Sequence, residues 1–297
     1  MDAEMTALSR SLVYEIAGSV GSRDSPLAHR IVWPIFRPVT DRLARIGITF
    51  DRNVVQHGFA HAMGFALKDF IHTVTARGID DFPPQGPLLV FSNHPGTYDS
   101  LIIASHLRRD DLCLISGDIP FLRRLPHANK HFYFVKNDPN TRMAAARQAI
   151  RHLKEGGAVL VYGFGHIDPD PAVYNDTSDH IDQWSRSIDL FLKTVPEINL
   201  LISIVSHVVS PKWRRSLLYH LRRNPIDRRR LVEFGQVMTQ LLFPGTFKQS
   251  PFISFTPPLS VPELRRGSAS DRLLPTVIAR GKALLAEHMA WTEKIAT

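Results

Sequence analysis

Pro87-Leu88-Leu89-Val90-Phe91-Ser92-Asn93-His94-Pro95-Gly96-Thr97-Tyr98-Asp99-Ser100 is the stretch on which the reading of this chain turns. Pro87 to Phe91 is an uninterrupted apolar run, and residues 87 to 93 read as a buried strand. Pro95-Gly96 makes a tight turn rather than a continuous helix, and Ser100 to Leu107 then reads as a helix. A strand that feeds a turn and a helix puts the turn at the carboxyl end of a sheet, where α/β folds bind their ligands.

Inside that turn stand a histidine and an aspartate five residues apart. On a continuous helix they would face about 140° apart, but the Pro-Gly turn lets Asp99 fold back toward the imidazole of His94. Such a pairing fixes the ring tautomer and stabilises the imidazolium, which is what a general base requires. The alternative is an aspartate that caps the helix beside an incidental histidine.

Downstream, strands alternate with helices. Leu112 to Ser116 and Phe132 to Val135 read as strands. Asn140 to Leu153 reads as a helix with Met143, Ala146, Ile150 and Leu153 on its apolar face. Glu155-Gly156-Gly157 ends that helix, and Ala158 to Tyr162 is the next strand. After a polar loop come a helix (Ile181, Trp184, Ile188, Phe191, Leu192), a strand (Leu200 to Val205) and two helices near 212–222 and 226–242. A last strand is expected at Phe252 to Phe255, and a closing helix at Ser270 to Lys294. This alternation implies an α/β domain with a largely parallel sheet. Upstream, residues 1 to about 24 are polar and mixed. From Ala28 to Ile46 apolar and basic residues alternate, and Pro34 and Pro38 are expected to interrupt any helix. Val54 to Val74 repeats Phe59, Met63, Phe65, Ala66 and Phe70 at helical spacing, with core packing as the expected role.

The 297 residues are 44% hydrophobic and 22% charged, the composition of a folded domain. A formal charge of +8 favours anionic partners. Cys113 is the single cysteine, so no internal disulfide framework exists and a reducing compartment is expected; its apolar surroundings suit core packing. The first residues lack the basic and apolar regions of a secretory signal, and no apolar stretch approaches the ~20 residues of a membrane span. A cytoplasmic protein, peripheral on the inner face of a membrane, is the expectation.

The longer run Ala76-Arg77-Gly78-Ile79-Asp80-Asp81-Phe82-Pro83-Pro84-Gln85-Gly86-Pro87-Leu88-Leu89-Val90-Phe91-Ser92-Asn93-His94, with Asp99 behind it, resembles the glycerolipid acyltransferase family, the acylglycerol-phosphate acyltransferases and their relatives. In that family a lead-in ending in proline and glycine feeds a buried strand that delivers N-H-x-x-x-x-D. The resemblance extends over roughly residues 75 to 260 and weakens beyond its first block. It implies a mixed, largely parallel α/β sheet flanked by helices: a domain at 75–262, an N-terminal helical extension at 1–74, and a C-terminal helix at 263–297 packed on the domain. It also implies transfer of a fatty acyl group from acyl-CoA or acyl carrier protein, as co-substrate, to a lipid or lipid-like hydroxyl. His94 would be the base and Asp99 its orienter, with Asn93, Gly96 and Thr97 beside the substrate and no cofactor or metal.

The later blocks depart from the pattern. Where the family places a phosphate-binding arginine, Lys130 to Asp138 offers Lys136 or Asn137, and Arg142 is a further candidate. A lysine would bind phosphate as a point charge, without the bidentate fork. Lys154-Glu155-Gly156-Gly157 is present, but the block expected as Phe-Pro-Glu-Gly reads Tyr162-Gly163-Phe164-Gly165. Gly165 keeps the glycine, and Phe164 stands where a carboxylate helps organise the acceptor. Gly163, Phe164 and Gly165 are therefore expected at the substrate. Two rivals follow: a silent lipid-binding relative, and a thioester or ester hydrolase on the same fold.

Two further features carry expectations. His166, Asp168, Asp170, Asp176, Asp179 and His180 collect in one loop, but at no known metal spacing, so a solvated loop is expected. Lys212 to Arg230 holds eight basic residues against one acid, a net +7, interleaved with Trp213, Leu217, Leu218 and Leu221. That mixture reads as an amphipathic helix on an anionic membrane; a solvated face or a site for coenzyme A phosphates are the alternatives, and no motif supports nucleic acid. His106 and His207 are expected to be structural.

Overall fold

The computed structural model describes residues 5–10, 12, 26–80, 82–266 and 272–296. Helices α1 (Pro26–His57) and α2 (Phe59–Leu67) precede the sheet. Then follow β1 (Thr75–Arg77), β2 (Leu88–Ser92), α3 (Asp99–Leu107), β3 (Leu112–Gly117), β4 (Phe132–Val135), α4 (Pro139–Lys154) and β5 (Ala158–Tyr162). After a long loop come α5 (Ser187–Thr194), β6 (Asn199–Ser206), α6 (Pro225–Leu242), β7 (Phe252–Phe255), β8 (Leu259–Ser260) and α7 (Leu274–Ala296).

The eight strands form one mixed, mostly parallel sheet in the order β1-β7-β6-β2-β5-β3-β4, with β8 beside β6. The β6–β7 and β6–β8 pairs are antiparallel and the other pairs are parallel, so β1, β7 and β8 run against the rest. The apolar run 88–92 is central because it pairs on both edges, Val90 lying between Leu160 of β5 and Leu201 of β6. Its side chains divide with the pleat. Leu88 and Val90 enter a core with α1, α2 and α3; Leu89 and Phe91 enter a second core with α4, α5 and α7. Each fully buried aliphatic side chain contributes about 1.5–3 kcal/mol, so this strand anchors both layers and fixes where its carboxyl end emerges.

Several sequence expectations are corrected. Pro34 and Pro38 do not break the helix; both lie inside the 32-residue α1. Lying four residues apart, they remove donors from the same row of the ladder. Burial of Val39, Ala44 and Phe50 against the core outweighs that loss. The helix expected around Ile181 to Leu192 is two short helices, Thr177–Ile181 and α5. On α4 the buried face is Ala145, Ala149 and Leu153, while Met143 is exposed. No single helix occupies 212–222: Pro211–Arg214 is one turn and Leu217–Leu221 a 3-10 segment. Strands β1 and β8 and the helix Val261–Arg266, which crosses the expected boundary at 262, were too short to show a period. Most of the expectation for residues 1 to 24, and the start of the closing helix at Ser270, lie outside the described residues.

Candidate active site

The site is built from β2 outward. Asn93 is buried and returns the backbone pairing of the next strand: its amide donates to the Val205 carbonyl at 2.9 Å and accepts from the Val205 N–H at 2.8 Å. Both ends of that side chain are spent on β6, so it braces the strand end. His94 is fixed by its backbone, its N–H donating to Asp168 at 2.8 Å and its carbonyl accepting from the Asp168 N–H at 2.7 Å.

The Pro-Gly turn then brings Asp99, the first residue of α3, back to the ring. Nδ1 of His94 lies 2.7 Å from Oδ2 of Asp99, which also accepts from the Gly96 N–H at 3.2 Å. The other carboxylate oxygen accepts from the Tyr162 hydroxyl at 2.6 Å. Asp99 is 0% exposed, whereas the imidazole side chain is 27% exposed. Nε2 makes no hydrogen bond to any described residue, so it is the nitrogen left open on the partly exposed side of the ring. Tyr162 adds a second restraint, its ring stacking on the imidazole at 4.1 Å and 17°. Burial disfavours the charged ring and is the largest single influence. The field and hydrogen bond of Asp99, helped by Glu233 and Asp168, outweigh it and push the His94 pKa up to about 9. Burial also holds the Tyr162 phenol well above its usual range, so it remains a donor.

The third block sits beside this pair. Gly163 hands its N–H to the Ser92 carbonyl and accepts from the Ser185 N–H. A Cβ there would lie 2.5 Å from the Trp184 ring, so glycine is a packing requirement. Phe164 packs edge-on to His180 and His166, and Gly165 turns the chain with φ 75°. The loop that follows is mostly committed to structure. Asp170 accepts from the N–H groups of Ala172, His207, Val208 and Val209. Among the described residues, no group of three or more His, Cys, Asp or Glu is arranged to hold a metal.

The other candidates are more remote. Lys136 is 64% exposed and pairs with Asp118 at 3.5 Å. It follows β4, three strands from β2 and so about 14 Å away at ordinary strand spacing. Arg142 donates to Asn137 at 2.9 Å. After desolvation, the charges of Arg230 and Arg142 are what hold the His166 pKa down, which places both cations in that corner of the site. Cys113 is buried, and His106 is held by the Ile102 carbonyl at 2.8 Å.

Sequence reasoning missed Tyr162, Asp168 and Glu233. Tyr162 lay in the quoted third block. Asp168 was absorbed into a polar loop. Glu233 comes from α6, is 6% exposed, and accepts from both the backbone N–H and the hydroxyl of Thr97.

Residues 73–173 match the sequence model of the family described as Acyltransferase, roughly a third of the chain. No curated protein matches the chain significantly. Among solved structures, the 1-acyl-sn-glycerophosphate (LPA) acyltransferase PlsC of Thermotoga maritima aligns over 95% of each chain, at 14% identity and a TM-score of 0.41. The segment matched by the family model runs from β1 through β5 and holds the whole turn from His94 to Asp99, so it is this part of the chain that is similar to the acyltransferase family.

Proposed function

We propose that this chain moves a fatty acyl group from an acyl thioester to a hydroxyl of a lipid or lipid-like acceptor. What supports the reading most is the buried 2.7 Å contact of Asp99 with Nδ1 of His94, which leaves Nε2 facing outward. Nε2 takes the hydroxyl proton as the oxygen attacks the thioester carbonyl. The tetrahedral intermediate collapses, the thiolate leaves and accepts that proton, and an ester and a free thiol result. Asp99 stabilises the imidazolium in between, and Tyr162 holds Asp99. No acyl-enzyme forms, and neither cofactor nor metal takes part; acyl-CoA or acyl carrier protein is the donor. The protein works in the cytoplasm on an anionic membrane surface, which would keep a lipid acceptor near His94.

The test is a purified assay that follows thiol release and acylated product together. Transfer by the wild type and loss of about 10²–10⁴-fold in His94→Ala is the expected result. Thiol release without acylated product would make the protein a hydrolase, and no thioester consumption would make it a silent lipid-binding relative.

A further inference from the structure

The face of α6 turned inward is polar. Arg229, Glu233, Gln236 and Gln240 recur at spacings of four, three and four, which places them on one side of a helix, and all four are buried. Burying such groups is costly unless each is satisfied. Arg229 pairs with Asp176 at 3.6 Å. Gln236 accepts from the Ser210 N–H and donates to the Val208 carbonyl, both at 2.8 Å. Gln240 accepts from the Tyr98 hydroxyl and donates to the carbonyls of Phe70 and Phe247. Between them, Glu233 reaches the turn joining His94 to Asp99.

Its carboxylate takes both donors of Thr97 with one oxygen. That oxygen would lie only 2.9 Å from a Cβ on Gly96, so it rests directly against the turn. Gly96 gives its own N–H to Asp99. One peptide thus hangs from the dyad and the next from α6, and the conformation of the turn is set from both sides. A buried aliphatic side chain would pack the helix as well or better if stability were the only demand.

We propose that Glu233 is a positioning residue for acyl transfer: held on α6, it fixes the 96–97 turn and thereby the approach of Asp99 to His94. The proposal rests on the reading of His94 as the base. His94 is faced by Asp99 from α3, Asp168 and His166 from the loop after β5, Tyr162 from β5 and Glu233 from α6, and Glu233 in turn by Asp99 and Tyr98. Glu233 therefore acts on the base through the turn, and its carboxylate favours the imidazolium although burial pushes its own pKa up.

The experiment compares Glu233→Leu, Glu233→Gln, Thr97→Ala and the Thr97→Ala/Glu233→Gln double variant with His94→Ala in the thioester assay. Loss of the acceptor in Glu233→Leu should lower kcat about 10- to 100-fold while KM stays within about twofold and the melting transition persists. Glu233→Gln keeps an oxygen for Thr97, so it should recover most of that loss. It should also move the acidic limb of the kcat/KM profile to lower pH, which a merely structural contact would not do. If Glu233→Leu does not fold, the double variant decides: it should be no slower than the worse of its two single variants, because both act on one contact. Wild-type kcat in Glu233→Leu, equal losses in the Leu and Gln variants, or additive losses in the double variant would overturn the proposal. Full activity in His94→Ala would instead overturn the reading beneath it.

Discussion

His94 is oriented by the same contacts that protonate it. Asp99 lies 2.7 Å from Nδ1 and favours the imidazolium, and the pKa is pushed up to about 9 although burial works the other way. A base must be neutral to accept a proton, so kcat/KM should rise with pH between about 6.5 and 9 and fall as pH drops through the raised pKa. Asp99→Asn removes the charge that raises it. The acidic limb should then shift toward the ordinary histidine value of ~6.5, with a large loss of kcat because an amide cannot stabilise imidazolium. Tyr162→Phe keeps the ring stacked on His94 but leaves one Asp99 oxygen without its donor. A smaller loss of kcat, with the fold retained, is expected. A pH profile measured on the three proteins checks all of this, and an unshifted limb in Asp99→Asn would break the link between the pair and the chemistry.

At the scale of elements, β5 and the loop behind it border His94. Phe164 stands where the family resemblance expects a carboxylate, and it packs against His166 and His180 rather than reaching toward a substrate. Asp99, Asp168 and Glu233 surround His94, while Lys136 lies at the far side of the sheet paired with Asp118. Lys136 offers no fork of the kind that grips phosphate in two bonds, Arg142 is engaged with Asn137, and Arg230 reaches only as far as His166. Glycerol 3-phosphate and lysophosphatidic acid should therefore be poor acceptors, at least about 10-fold below an uncharged monoacyl lipid in kcat/KM, equivalent to ~1.4 kcal/mol. Phe164→Glu alone should not rescue them. Efficient acylation of either by the wild type would refute this. The same elements mark what the sequence could disclose. The strand 88–92 and the turn behind it were legible because a buried parallel strand and a Pro-Gly break are local signals. The partners of that turn were not, because Glu233 lies 136 residues beyond Thr97. Its stripe on α6 has the period that a solvated helix face would also show. The same limit hid α1, whose two prolines dominate the local reading while its packing against the sheet is remote in sequence.

Over the whole molecule, charge and apolar exposure coincide at one place. Among the described residues, no helix is long and apolar enough to cross a membrane. The segment 212–230 nonetheless carries a net +7, and within it Leu217 is 84% and Leu221 64% exposed. Lys212, Arg214, Arg215, Arg222 and Arg223 are exposed around these leucines. Arg229 is not part of that surface, because it is buried against Asp176, and Arg228 stacks on Tyr219. A short apolar tip ringed by arginines suits an interface in which leucines enter the headgroup boundary and guanidinium groups meet phosphates. Each basic residue near an anionic surface contributes about 1 kcal/mol, screened by salt. The protein should therefore sediment with anionic liposomes at low salt and hardly at all with neutral ones. Changing Arg215, Arg222 and Arg223 to Gln should remove most of the salt-sensitive binding without altering the fold. Leu217→Ser with Leu221→Ser should weaken the part that survives high salt, since what remains there is apolar. Binding that is absent, or that persists through both sets of changes, would show that this surface serves something else. Protection of the same arginines by coenzyme A would assign them to the phosphates of the donor.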